Sequence, residues 1–297
     1  MAGRMQGKVS FITGAGRGQG RAHAVLQARE GADIIAIDIC EDIDSNPYPM
    51  ASWDDLAETR RLVEQEGRRC VVGKADVRDR GQLAAALADG IAELGPLTNV
   101  MANAGILPLA MGDPQPMDFH DAVDVDLIGV LNTVAAAVPH LLAAGGGGSI
   151  VITGSTAALI PNTTSSTDPR VIMGPGGAGY SWSKQTLVGY TREMAQHLAP
   201  SGIRVNIVHP TNCNTHLMNA EGIYQVFRPD LEAEEVTKDD FRLASVAYHA
   251  LPTPWLESED VAELVLFLAS DASKHMTGTS IPIDLGCMVK WPNGPGQ

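Results

Sequence analysis

The sequence predicts one α/β domain, a doubly wound parallel sheet of about seven strands with helices on both faces. Three observations predict it. Short β-branched runs alternate with longer amphipathic stretches nearly from end to end. A glycine-rich turn follows directly on the first run and opens the first helix. No stretch is rich enough in linker residues to mark a boundary, and 297 residues can enclose one large core.

VSFIT (9–13), DIIAID (33–38), CVVGKADV (70–77), LTNVMAN (97–103), SIVITG (149–154), IRVNIVHP (203–210) and TSIPIDLG (279–286) read as strands buried on both faces. Near-continuous apolar runs suit a parallel sheet whose crossovers cover each side. Residues 20–30, 53–66, 81–94, 118–144, 180–199 and 258–270 read as the helices between them, wound through right-handed crossovers. Segments 39–52, 156–179 and 211–257 are too long for simple connections. Structureless stretches beyond about 15 residues in a compact domain are usually lids, binding loops or disorder. The last two follow the fifth and sixth strands, and open α/β sheets bind ligands at the carboxyl ends of strands.

A net charge of -14 disfavours nucleic acid and anionic membrane surfaces, which would repel the chain. No apolar run approaches the roughly 20 residues that span a bilayer. The N-terminus lacks the apolar region and cleavage site of a signal peptide, so a cytoplasmic protein is expected. Cys40, Cys70, Cys213 and Cys287 form no CxxC pair, which favours reduced thiols over a disulfide or zinc framework, and no metal is expected. A small-molecule partner fits better than a macromolecule.

TGAGRGQG, Thr13 to Gly20, is a strand-turn-helix signature for a phosphate site. Glycine lets the backbone approach a pyrophosphate, and the free N–H groups of a helix start carry positive partial charge. Gly14, Gly18 and Gly20 are the key positions; Gln19 breaks the G-x-G-x-x-G spacing, and no GK[ST] is present for a Walker loop. Asp38 ends the second strand about twenty residues on, where a carboxylate accepts hydrogen bonds from a ribose diol and repels a 2′-phosphate, selecting NAD. Arg17 could soften that repulsion, and Ile39 follows the acid. Asp76 and Val77 end the third strand where an adenine-edge contact is expected; Asn103, Ala104 and Gly105 end the fourth, where small residues admit a cofactor. The expected architecture is therefore Rossmann-like.

Tyr180 and Lys184 stand at i and i+4, on one face of a helix. A phenol of pKa near 10 is a poor base at neutral pH, but a neighbouring ammonium and a cationic nicotinamide both favour the phenolate. TGxxxGxG after strand one, Asp after strand two, NAG after strand four, Ser after strand five and YxxxK opening the next helix together resemble the short-chain dehydrogenase/reductase family, over nearly the whole chain. The resemblance implies that Ser155 holds the substrate oxygen, with Thr156 as the alternative. It implies that Tyr180 is the general acid/base and that Lys184 lowers the Tyr pKa and binds the nicotinamide ribose. DVDLIGV places Asp126 where the family usually carries a catalytic Asn; a carboxylate there can accept the same hydrogen bonds and adds a negative charge that raises the Lys184 pKa. HPTNCNT stands where the family usually has PG; the resemblance implies that Pro210 and Thr211 line the nicotinamide pocket, that Asn212 is a further cofactor-binding residue and that Thr215 bonds the carboxamide or a phosphate, while His209 reads as structural.

The insert DICEDIDSNPYPMASWDDLAETRRLVE, HPTNCNT and the ending PIDLGCMVKW resemble the mycofactocin-coupled, carveol-dehydrogenase-like subgroup. That likeness implies that residues 39–52 fold over the adenosine end of a non-exchanging NAD, with mycofactocin as electron acceptor. An ordinary surface insertion is the alternative. The implied substrate is a hydrophobic secondary alcohol or its ketone, and the implied assembly is a homotetramer. Trp182, Met218 and residues 218–231 form either a lid over that substrate or a subunit interface. The other functional readings are an ordinary dehydrogenase with freely exchanging NAD(H) and a non-catalytic NAD-binding sensor.

Overall fold

A computed structural model of the chain describes residues 3–109, 115–160, 174–228, 230–232 and 235–290. Seven parallel strands form one sheet in the order β3-β2-β1-β4-β5-β6-β7: β1 (Val9–Thr13), β2 (Asp33–Asp38), β3 (Cys70–Lys74), β4 (Asn99–Ala102), β5 (Gly148–Thr153), β6 (Ile203–Pro210) and β7 (Ser280–Ile283). Order reverses between β1 and β4, the switch point where their carboxyl ends open a crevice.

Strand residues alternate between two cores because successive side chains leave opposite faces. Phe11, Ile35, Ile37, Val100, Ile150 and Ile207 pack on one side with α3 (Arg80–Leu94), α5 (Gly129–Ala144) and α6 (Gly174–Leu198). Ile12, Ile34, Met101, Val151 and Val208 pack on the other with α1 (Gly18–Arg29), α2 (Trp53–Gln65) and α9 (Ser258–Ala269). Strands β1, β2 and β4 are buried on both faces as expected, but the edge strands β3 and β7 are largely half-buried, since each has one neighbour only.

The expected helix 118–144 is one 29-residue helix, Pro116–Ala144, long and apolar enough by composition to cross a membrane. That corrects the reading that no such run exists. Its apolar residues Val125, Leu127, Val130, Val134 and Leu141 instead fill the core beside the sheet. Within it, α4 (Pro116–Val123) joins α5 through one wide π-type turn, Asp124–Ile128, of the kind often found at functional sites. The helix expected from 180 begins at Gly174. Its glycines look like breakers, yet α6 packs so tightly that a Cβ on Gly176 would lie 1.8 Å from the Pro108 carbonyl oxygen, and one on Gly179 2.7 Å from that of Phe119. Residues 161–173, most of the expected rim segment, lie outside the described residues.

Among its described residues, segment 211–257 holds the α-helices α7 (Glu221–Phe227) and α8 (Lys238–Tyr248). They build a third apolar cluster in which the Phe241 ring stacks on Tyr224 (5.0 Å) and Trp255 (5.9 Å) and meets Phe227 edge-on (5.1 Å). The ladder contact of Cys213 with Leu256 ties this cluster to the end of β6.

Candidate active site

The carboxyl ends of the strands enclose a cavity of about 810 Å³, within the usual size of a small-molecule site. Nearly every expected site residue lines it: Gly14, Arg17, Gly18 and Gln19 from the first turn; Asp38 and Ile39; Asp76 and Val77; Asn103, Ala104 and Gly105; Asp126, Ser155, Tyr180 and Lys184; and Pro210, Thr211, Asn212 and Thr215. Gly20 does not. A Cβ there would lie 2.0 Å from the Gly14 carbonyl oxygen, so Gly20 is needed for α1 to pack against its own turn.

At one end, Gly14 and Gly18 adopt positive φ (65° and 54°), turning the chain into α1. The α1 N-terminus has no side-chain cap and no acidic residue in its first turn, which leaves its N–H groups to an anionic ligand. Asp38 Oδ2 accepts from Gly16 N–H at 2.8 Å. Burial raises the Asp38 pKa above its usual value, and the Gly16, Cys40 and Ile39 N–H groups pull against that rise. Asp76 is paired with Arg78 at 2.7 Å. Arg17 donates to the Pro49 carbonyl, tying segment 39–52 to the glycine turn. One residue earlier, the Tyr48 hydroxyl accepts from Leu107 N–H at 3.4 Å across the cavity wall.

At the other end, α6 carries Tyr180 and Lys184 to the ends of β4 and β5. Lys184 Nζ donates to the Thr153 carbonyl at 3.0 Å and forms a 3.0 Å ion pair with Asp126, both side chains being buried. Asp126 also accepts from Ile106 N–H at 3.3 Å. Burial acts to lower the Lys184 pKa, but Asp126 and Tyr180 outweigh it and hold Lys184 above its ordinary value. The ammonium lies 5.4 Å from the Tyr180 ring centroid. Ser155, and not Thr156, is placed to pull the Tyr180 phenol pKa down, which singles it out. Burial pushes the Tyr180 phenol up, Lys184 pulls it down, Asp126 pushes it up again and Ser155 pulls it down; the net shift is upward. The downward shift expected from Lys184 is thus outweighed, chiefly by burial of the phenol and further by the Asp126 carboxylate.

Behind Ser155, the fully buried His209 places Nδ1 2.9 Å from the Ser155 carbonyl oxygen and Nε2 2.7 Å from the Ser280 hydroxyl. Burial lowers its pKa to about 4, and that of the buried His23 to about 4 as well. Both folded values lie below the ordinary 6.5, so the stability they contribute is full above pH 6.5 and is lost as pH falls from 6.5 towards 4, where only the unfolded chain gains protons. Urea midpoints measured across that window should fall with pH. His209→Gln should make the decline shallower; an unchanged slope would remove His209 from this explanation.

The cavity ceiling holds Ile223 and Phe227 of the expected lid segment 218–231, Tyr48 of segment 39–52 and Ile160 of segment 156–179; Leu107, Leu109 and Tyr248, with His216 near Arg17 at the glycine-turn end, are residues that sequence reasoning missed. No motif marks them, because separate loops bring them together. Met218 lines the cavity as a lid residue would, whereas Trp182 does not: it is half exposed and faces Phe119, ring centroids 6.3 Å apart.

A family profile described as enoyl-(acyl carrier protein) reductase matches residues 14–288. The (-)-trans-carveol dehydrogenase of Rhodococcus erythropolis is 42% identical over 97% of this chain and 99% of its own. The crystal structure of carveol dehydrogenase from Mycobacterium avium in complex with NAD superposes with a TM-score of 0.87 at 42% identity, covering 97% of this chain and 99% of that one. A short chain dehydrogenase from Mycobacterium paratuberculosis bound to NAD gives a TM-score of 0.82 at 39% identity, covering 97% and 100%. The parallel sheet, the glycine turn running into α1 and the Ser155, Tyr180 and Lys184 cluster agree with these matches, and the chain belongs to the short-chain dehydrogenase/reductase family.

Proposed function

We propose that this protein is an NAD-dependent oxidoreductase that interconverts a bulky, uncharged secondary alcohol and its ketone. We further propose that it keeps its NAD bound and yields the electrons to mycofactocin. The observation that carries the reading is the placement of Ser155, Tyr180 and Lys184 at one end of a cavity whose other end is the uncapped α1 N-terminus and Asp38. That arrangement fits a dinucleotide: N–H groups for the pyrophosphate, a carboxylate for the adenosine ribose, and small residues at 104–105 where a ring must pass. Relatives bound to NAD support the same assignment.

NAD, when bound, supplies the acceptor for the carbinol hydride. Ser155 and Tyr180 hold the alcohol oxygen between them, and Tyr180 takes its proton as the hydride leaves. Lys184 favours the phenolate and is placed to hold the nicotinamide ribose. The ceiling of Leu107, Leu109, Met218, Ile223, Phe227 and Tyr248 excludes water and suits an apolar ring system better than a charged substrate. Exposed Met117 and Trp182, on the paired helices α4 and α6, fit self-association of the chain into the expected homotetramer.

Cofactor retention is supported by segment 39–52, which reaches from the glycine turn through Arg17 and Pro49 to Leu107 through Tyr48. Extensively dialysed protein should still carry NAD, reduce it once on addition of a hydrophobic secondary alcohol, and show no sustained turnover with free NAD. Steady turnover on free NAD would instead identify an ordinary dehydrogenase. Bound NAD that no alcohol reduces would identify a sensor.

A further inference from the structure

We infer that Asp126 sets the charge balance at the reacting end of the cavity and thereby biases the bound cofactor towards its oxidised form. This rests on reading the cavity as an NAD site. Among the described residues lining that end, the ionised side chains are Lys184 and Asp126. Arg17, Asp38, Asp76 and His216 line the end formed by the glycine turn and the ends of β2 and β3.

An oxidised nicotinamide ring carries a positive charge and a reduced one does not. An uncompensated ammonium beside it would favour the reduced form, since like charges repel strongly where water is excluded. Asp126 removes that bias. Its carboxylate is 0% exposed and lies 3.0 Å from Lys184 Nζ, held by Ile106 N–H on its other oxygen. It also lies against the β4 loop, where a Cβ on Gly105 would come within 2.6 Å of Oδ1. Buried and fixed on three sides, the charge is neither screened by salt nor free to swing away. An Asn of the same shape could accept from Lys184 but would leave the ammonium's charge uncompensated.

Asp126 is therefore a positioning residue of charge rather than a group touching the reacting atoms. The same field opposes the Tyr180 phenolate, in line with the upward net shift of that phenol.

The test is the midpoint potential of NAD bound to the holoenzyme, read from the near-ultraviolet absorbance of the reduced nicotinamide in equilibrium with a redox dye. The native midpoint should lie at or below that of the free couple. Asp126→Asn should favour the reduced form by about tenfold, a rise of about 30 mV for a two-electron couple. Asp126→Glu, which keeps the charge, should stay within about threefold of native by the same relation. Asp126→Ser serves if the Asn variant does not fold. A native midpoint well above the free couple, or an Asn or Ser variant that binds NAD with an unmoved midpoint and only lower thermal stability, overturns the proposal. Native protein that binds no NAD overturns the cofactor reading instead, so the two failures are distinguishable.

Discussion

Tyr180→Phe should lower the rate of alcohol-dependent NAD reduction by about 10³–10⁴-fold, the upper range for losing a general acid/base. The substitution deletes one hydroxyl from a side chain held at the start of α6, and the ring contacts with the third apolar cluster remain. Folding and NAD content should therefore be unchanged, which separates a chemical defect from a structural one. Ser155 and Lys184 cannot substitute. The Ser155 hydroxyl already accepts from Ala157 N–H at 3.1 Å, and Lys184 is engaged by Asp126 and the Thr153 carbonyl. Normal single-turnover reduction in the Phe variant would remove Tyr180 from the proton step.

Lys184→Met should be the most destabilising change in the site. It leaves the Asp126 carboxylate fully buried with, among the described residues, only Ile106 N–H as donor. Breaking one half of a buried ion pair costs about 3–5 kcal/mol. For a domain of this size that lowers the thermal midpoint on the order of 10 °C. The carboxyl can respond by binding a proton, since burial already raises its pKa while Lys184 and Ile106 pull it down. In the double variant Lys184→Met with Asp126→Asn no uncompensated charge is left, so most of the lost stability should return. Activity should not return, because the Tyr180 phenol no longer has a cation beside it. Thermal denaturation of the four proteins of this cycle reads the coupling directly, and additive losses in the double variant would mean that the pair is not coupled.

The sheet was legible because its strands are short apolar runs bounded by Gly and Asp, and each observed strand falls within or beside its expected run. The reading of 70–77 ran past the strand end at Lys74, since Ala75 and Val77 are apolar for the sake of the core and the cavity wall. The start of α6 was not legible, because Gly and Pro are poor helix formers and only the backbone approach to Pro108 and Phe119 explains them there. Helices α7 and α8 were missed for a related reason: their aromatic stack exists only once Phe241, Tyr224 and Trp255 meet.

Within the site, residues that belong to ordered motifs could be placed along the chain, but their mutual influence could not. A glycine needed to pack a helix, Gly20, looks the same in sequence as one lining a ligand cavity. Tyr48 and Leu107 are 59 positions apart, and no local pattern announces their hydrogen bond. The upward pull on Tyr180 likewise depends on burial and on Asp126, which lies 54 positions earlier in the chain.

The most direct measurement is a single turnover with a hydrophobic secondary alcohol carrying deuterium on its carbinol carbon, followed by mass analysis of the NADH recovered on denaturing the protein. The cofactor from native protein should contain that deuterium, and the Tyr180→Phe protein should yield essentially unreduced NAD. Recovery of unlabelled NADH from native protein, or of equal labelled NADH from the Phe variant, would contradict direct hydride transfer governed by Tyr180.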